Sequence, residues 1–112
     1  MDRKIKKYQK ILTDFLVAES IAKDLGTIEL QVVTDFKNNH FQLVETGWFE
    51  KRFIYQVVFH FDIKPNGKVW ILVNNTDTLV AEELIKKGIP STDIVLGFHP
   101  AHARQYTGFA VA

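Results

Sequence analysis

The feature that most limits how this chain can fold is a single change of hydrophobic period. From residue 3 to residue 24, Ile5, Tyr8, Ile11, Leu12, Phe15, Ala18 and Ala22 recur at three- and four-residue steps. That spacing predicts one helix with an apolar stripe. Arg3, Lys7, Lys10 and Asp14 fall on its other side. Gly26 then predicts a stop, because glycine can take the left-handed cap conformation. After it the period becomes 2. Ile28, Leu30 and Val32 alternate with Glu29 and Gln31, which predicts a strand over 28–36. Asn38-Asn39 tolerates positive φ and suits a tight turn. Phe41 and Leu43 flank Gln42 in a strand over 41–48, Glu50-Lys51-Arg52 is a polar connection, and 53–63 is a long strand. Pro65-Asn66-Gly67 is a hairpin signal, and 68–74 returns. Short loops between neighbouring strands imply an antiparallel meander of four strands.

Beyond the meander the period of a helix returns over 78–87. Asp77 or Thr78 can cap its N-terminus, and Lys86 and Lys87 oppose the dipole at its C-terminus. Gly88 and Pro90 end it. Ile94-Val95-Leu96 is a short buried strand, and Pro100 opens a one-turn helix around Ala101–Gln105. The expected fold is α+β: a four-stranded antiparallel meander with an N-terminal helix, a second helix after strand 4 and a short C-terminal strand and turn. The 112 residues make one domain, 1–112. A chain of this size buries roughly two-thirds of the surface it exposes unfolded, enough for a core without disulfides or metal.

Both faces of the central hairpin are apolar. Phe53, Tyr55, Val57, Phe59, Phe61 and Ile63 alternate toward one side of the third strand, with Ile54 and Val58 behind them. On the fourth, Val69, Ile71 and Val73 oppose Trp70 and Leu72. A half-exposed sheet should have one polar face. The first helix can cover one side. The other needs the second helix with the C-terminal segment, or a partner subunit in a homo-oligomer.

Composition removes several classes. The chain contains no cysteine, which excludes disulfides and thiolate metal sites and fits a cytoplasmic location. The opening MDRKIKKYQK lacks the apolar run of a signal peptide, and no stretch is long and apolar enough to span a bilayer. The net charge of +1 gives little support to nucleic-acid binding, although Arg3, Lys4, Lys7 and Lys10 concentrate positive charge on the first helix. A solvated helix face is the default reading of them.

The densest run of reactive side chains is Gly97 to Gly108, with His99, His102, Arg104, Tyr106 and Thr107. It reads as a recognition loop, since arginine and tyrosine are favoured interface anchors. A turn-rich connection whose polar groups satisfy local backbone is the plainer alternative. Trp48, Phe49, Lys51 and Arg52 form an aromatic and basic cluster at a turn, either a binding edge or a capped hairpin. No Gly-x-Ser-x-Gly, phosphate-cradling glycine loop or His-Glu-x-x-His motif is present, so no catalytic residue, cofactor or metal site is expected. His60 and Asp62 share a strand face and could pair, or both could simply be exposed. An Asp62–Lys64 nuclease-like spacing is too common to carry weight.

The second half also carries a long motif: Glu82-Glu83-Leu84-Ile85-x-x-Gly88-Ile89-Pro90-x-x-Asp93-Ile94-Val95-Leu96-Gly97-Phe98-His99-Pro100, then Arg104-x-Tyr106-Thr107-Gly108-Phe109-Ala110-Val111-Ala112. With Glu29-Leu30-Gln31, Gly47-Trp48, Arg52, His60-x-Asp62-Ile63-Lys64 and Lys68-Val69-Trp70-Ile71, it resembles the family of the fdxN element excision controlling factor XisI along nearly the whole chain. The resemblance implies an accessory or regulatory role in programmed DNA excision, alongside a site-specific recombinase and a companion protein, XisH. It supplies no catalytic residues. The family often has an acidic residue where His102 stands, which counts against a His99/His102 metal pair. It also implies that the apolar C-terminal tail is packed.

The leading expectation is therefore a regulator that binds an XisH-like companion. Arg104 and Tyr106 would anchor the contact, and Trp48, Arg52 and His99 would line it. Direct DNA binding through Arg3, Lys4, Lys7 and Lys10 is one alternative. A small enzyme using His60, Asp62 or His99 is another.

Overall fold

One long helix, α1 (Asp2–Ala22), lies against a sheet whose strands follow one another in chain order. The computed structural model describes residues 2–22 and 26–112, so the end of the expected helix, residues 23 and 24, lies outside the described residues. The strands are β1 (Ile28–Asp35), β2 (His40–Phe49), β3 (Arg52–Ile63), β4 (Val69–Asn74) and β5 (Ile94–Leu96). The first four pair antiparallel, as the short turns require. Asn39 (φ 61°) and Gly67 (φ 83°) take the positive φ expected of their turns. β5 adds a fifth strand to the same sheet, parallel to β4. Parallel neighbours need a crossover, and it contains α2 (Val80–Lys86) and a 3₁₀ turn (Ser91–Asp93). A single turn of helix, α3 (Ala101–Arg104), follows β5.

The helical stripe is turned slightly from its expected position. Ala18 is exposed, and the burial of Ala22 lies outside what is described, while Tyr8, Leu12, Phe15 and Leu16 are buried. They pack on Phe41, Leu43, Phe59, Phe61, Ile63, Val69 and Ile71 of the sheet. Phe15 meets Phe59 edge-on at 5.3 Å between centroids, a geometry the aromatic quadrupole favours.

Expectations about α2 and about β3 fail here. First, α2 does not cover the second sheet face: Val80, Leu84 and Ile89 join the same core as α1. Nor does Asp77 or Thr78 cap this helix through its side chain. Leu79 occupies the N-cap, and the Thr78 carbonyl instead accepts from Asn74 Nδ2 at 2.9 Å.

Second, β3 does not keep one face throughout. Leu43 pairs with Phe59, but Val44 pairs with Val57, so Val58 is an extra residue in a bulge. Because the side-chain period is 2, one added residue exchanges the faces. Phe59, Phe61 and Ile63 point into the core, whereas Phe53, Tyr55 and Val57 point to the opposite side. A second bulge, with Leu72 as the extra residue, lies between β3 and β4.

The crossover is tied to α1 by a polar contact. The Tyr8 hydroxyl donates to Asp93 Oδ2 at 2.5 Å, and Lys4 Nζ lies 2.9 Å from the same oxygen. Burial raises the Tyr8 hydroxyl well above its usual range, with the Asp93 hydrogen bond and charge adding, so it stays a donor. Burial also pushes the Asp93 carboxyl up, but the Tyr8 hydrogen bond and the Lys4 ammonium outweigh this and hold it below the usual carboxylate range. A depressed carboxyl contributes stability above its unfolded pKa and loses it as pH falls through the folded value. Tyr8→Phe is therefore expected to cost about 1–2 kcal/mol near neutrality. The penalty should shrink below roughly pH 4, as the carboxylate is protonated. Urea titrations of both proteins at neutral and acid pH check this; an equal penalty at both would contradict it.

Candidate functional site

The sheet face turned away from α1 and α2 is the candidate site. It has three parts set by strand register: a tip at one end of β3, a polar group near the other end, and a segment beside that group over β4.

At one end the β2–β3 hairpin projects. Trp48 and Phe53 are cross-strand partners with ring centroids 5.4 Å apart. Trp48 (59%), Phe53 (55%) and Tyr55 (69%) are all exposed on this face, and Phe49 (56%) is exposed on the other side of the same tip. Arg52 is exposed at the turn, beside Glu50, which adopts φ 57°. The turn cluster at Trp48 and Arg52 is thus an aromatic tip larger than the sequence spacing suggested. The β2–β3 bulge is what adds Phe53 and Tyr55 to it.

Near the other end of β3, where it pairs with the start of β2, lies a polar group. Asp62 is the one buried charged residue among the described residues, 5% exposed. Its Oδ1 is 2.7 Å from His40 Nδ1 and 2.8 Å from His60 Nε2. Gln42 Nε2 lies 3.2 Å from His60 Nδ1, and Lys64 Nζ lies 3.4 Å from Asp62 Oδ2. Burial pushes the Asp62 carboxyl up, but the hydrogen bonds and charges of the two rings outweigh it and leave it below the usual carboxylate range. His60 and Asp62 are therefore paired, with Asp62 buried and His60 half-buried, and are not exposed strand positions. Sequence reasoning missed His40 and Gln42, which reach the site from the neighbouring strand. The register His40↔Asp62 and Gln42↔His60 was the only signal, and it follows from the β2–β3 turn at Glu50-Lys51 together with the Val58 bulge.

Beside the polar group, over β4, the Gly97–Gly108 segment folds onto Trp70 and Leu72. A Cβ on Gly97 would stand 2.7 Å from Leu72 Cδ2 and 2.9 Å from Trp70 Cε3, so glycine is what lets the segment lie flat. The Arg104 guanidinium stacks 4.7 Å from the Trp70 ring, and its Nε donates to the His99 carbonyl at 3.1 Å. Arg104 is thus engaged within the chain, as the plainer reading of this segment holds. His99 is half-buried, His102 is exposed, and Tyr106 is 82% exposed. The Ala110 amide donates to the Ile94 carbonyl at 2.8 Å and Phe109 packs on the core, while Val111 is exposed. The tail is packed as far as Ala110.

The polar group and the segment adjoin, since Trp70 pairs with Asp62 and Lys64 Nζ lies 5.6 Å from the centre of the Trp70 ring, but the aromatic tip stands apart from both. From Phe53 to Asp62 the strand runs about 30 Å at roughly 3.3 Å per residue. Trp48 and Arg52 consequently stand far from His99, Arg104 and Tyr106, and the five do not line a single contact. Among the helix cations, Lys4 is paired with Asp93 and Lys10 with Asp14 at 2.9 Å, while Arg3 and Lys7 are exposed. None of the described helices is long and apolar enough to cross a membrane.

Fold and face together define a small helix-backed, mostly antiparallel sheet protein with an open, aromatic-tipped surface. The chain belongs to the XisI family, whose model it matches over residues 1–111. It is similar to the crystal structure of a XisI-like protein from Anabaena variabilis ATCC 29413, at 39% identity and a TM-score of 0.90, covering 96% of this chain and 99% of that one. It is also similar to that of the fdxN element excision controlling factor XisI from the same organism, at 27% identity and a TM-score of 0.81, covering 97% and 99%. No curated protein matches it.

Proposed function

We propose that this chain is an accessory factor in the excision of a DNA element and acts by docking a companion protein, of the XisH kind, on the projecting β2–β3 hairpin. The observation that carries the reading is the cluster of Trp48, Phe49, Phe53 and Tyr55, all more than half exposed on one tip. Large aromatic side chains left in water on a rigid strand pair lose little entropy on binding and bury much area. Arg52 adds a charged group at the rim of the same surface. Tyr106, on the distant bend, would belong to a second and smaller contact. Arg104 would act by holding that bend against Trp70.

Co-purification and titration of the companion against single variants test this. Trp48→Ala and Tyr55→Ala are each expected to weaken binding by about tenfold or more. Arg104→Ala should act less, through the bend it holds. Wild-type affinity in the double variant Trp48→Ala/Tyr55→Ala would reject the hairpin as the docking surface. Salt-sensitive retardation of element-end DNA, lost in Arg3→Ala/Lys7→Ala, would favour direct DNA contact through counterion release instead.

A further inference from the structure

We propose that His40, His60 and Asp62 form a binding site for one divalent transition-metal ion, with zinc the first candidate. Their nearest ligand atoms all lie within 4.8 Å of one another. Ligands around a tetrahedral zinc stand about 3.3 Å apart when each bond is about 2.0 Å. Small rotations of the two rings, away from Asp62 Oδ1 and toward each other, bring the three atoms to that spacing. Two imidazoles and one carboxylate are a donor set that zinc accepts in sites retaining an open fourth position. Here that position would face solvent, because the His40 side chain is 52% exposed.

The surroundings fit a metal as well as they fit the hydrogen-bonded state. Without a metal, each ring donates one N–H to Asp62 Oδ1. For neutral rings, binding needs no net loss of protons: each ring moves its hydrogen to the other nitrogen. The His40 Nε2–H can then donate a hydrogen bond to water. His60 Nδ1 becomes a donor, and the Gln42 amide receives it by turning over to present its oxygen. This outer hydrogen bond would hold the His60 ring in the metal-binding tautomer. Lys64 sits on the second carboxylate oxygen, Oδ2, and leaves Oδ1 available as a single ligand. Placing Asp62 in a 5% exposed position on a strand flanked by Phe61 and Ile63 costs desolvation energy. A cation bound there would offset that cost.

The test is calorimetric titration of zinc into chelator-treated protein, with cobalt as a spectroscopic probe. One equivalent should bind, and cobalt should give the intense visible absorption of a four-coordinate ion. His40→Ala and His60→Ala should abolish both signals or weaken binding by well over tenfold, and Gln42→Leu should weaken it by about tenfold. His40 is half exposed, so its removal leaves the core intact, which circular dichroism can verify. His99→Ala and His102→Ala should bind as wild type does. Absence of saturable one-to-one zinc binding would overturn the proposal. So would unchanged affinity in folded His40→Ala, which would place the metal elsewhere.

Discussion

Phe59→Ala is expected to lower the free energy of unfolding by about 3–5 kcal/mol, the cost of removing a fully enclosed aromatic ring. Phe59 is 0% exposed and contacts Phe15 and Phe61, at 5.3 and 5.9 Å between centroids. Its loss would leave a void between α1 and the middle of β3, where neither element can collapse without disturbing the other. Phe53 is the same residue type on the same strand, but lies across the Val58 bulge and is 55% exposed. Phe53→Ala should cost less than about 1 kcal/mol. Urea unfolding of the two variants reads the difference directly. Equal penalties would mean that the bulge does not exchange the faces.

Gly47→Ala should have a comparable effect by a different route. Gly47 pairs with Ile28 across the first hairpin and has φ 147°. A Cβ there would stand 2.4 Å from the Thr27 carbonyl oxygen and 3.2 Å from Ile28 Cα. Both are backbone atoms, so no side chain can swing aside. Steric overlap and an unfavourable φ together should cost about 2–5 kcal/mol. Thermal unfolding measures it, and a shift no larger than that of a neutral surface substitution would contradict the close approach. Gly26→Ala makes a useful comparison. It meets nothing within 4 Å and carries only the penalty of its φ of 76°.

Much of this architecture was legible in the sequence because it is local. The 3.6-to-2 change of period located α1 and the strands, and Asn38-Asn39 and Pro65-Asn66-Gly67 fixed the turns between neighbours. What could not be read was non-local. Alternation in β3 runs unbroken from Phe53 to Ile63 in the sequence, and only pairing with β2 shows that Val58 is an insertion in the ladder. Which face α2 covers depends on the crossover to β5, not on its own stripe. The polar cluster was half visible: His60 and Asp62 share a strand face, but His40 and Gln42 join them only through register. In Gly97–Gly108 the residue types suggested a recognition loop. The Arg104 guanidinium instead rests on Trp70, a contact between distant segments that spacing cannot reveal.

The hairpin tip is the surface that a companion would cover. Amide hydrogen exchange of the chain, alone and saturated with the companion, tests this most directly. Slowed exchange over residues 48–57, with residues 3–10 unchanged, is the expected result. Protection confined to α1, or none at the β2–β3 tip in a complex that demonstrably forms, would contradict it.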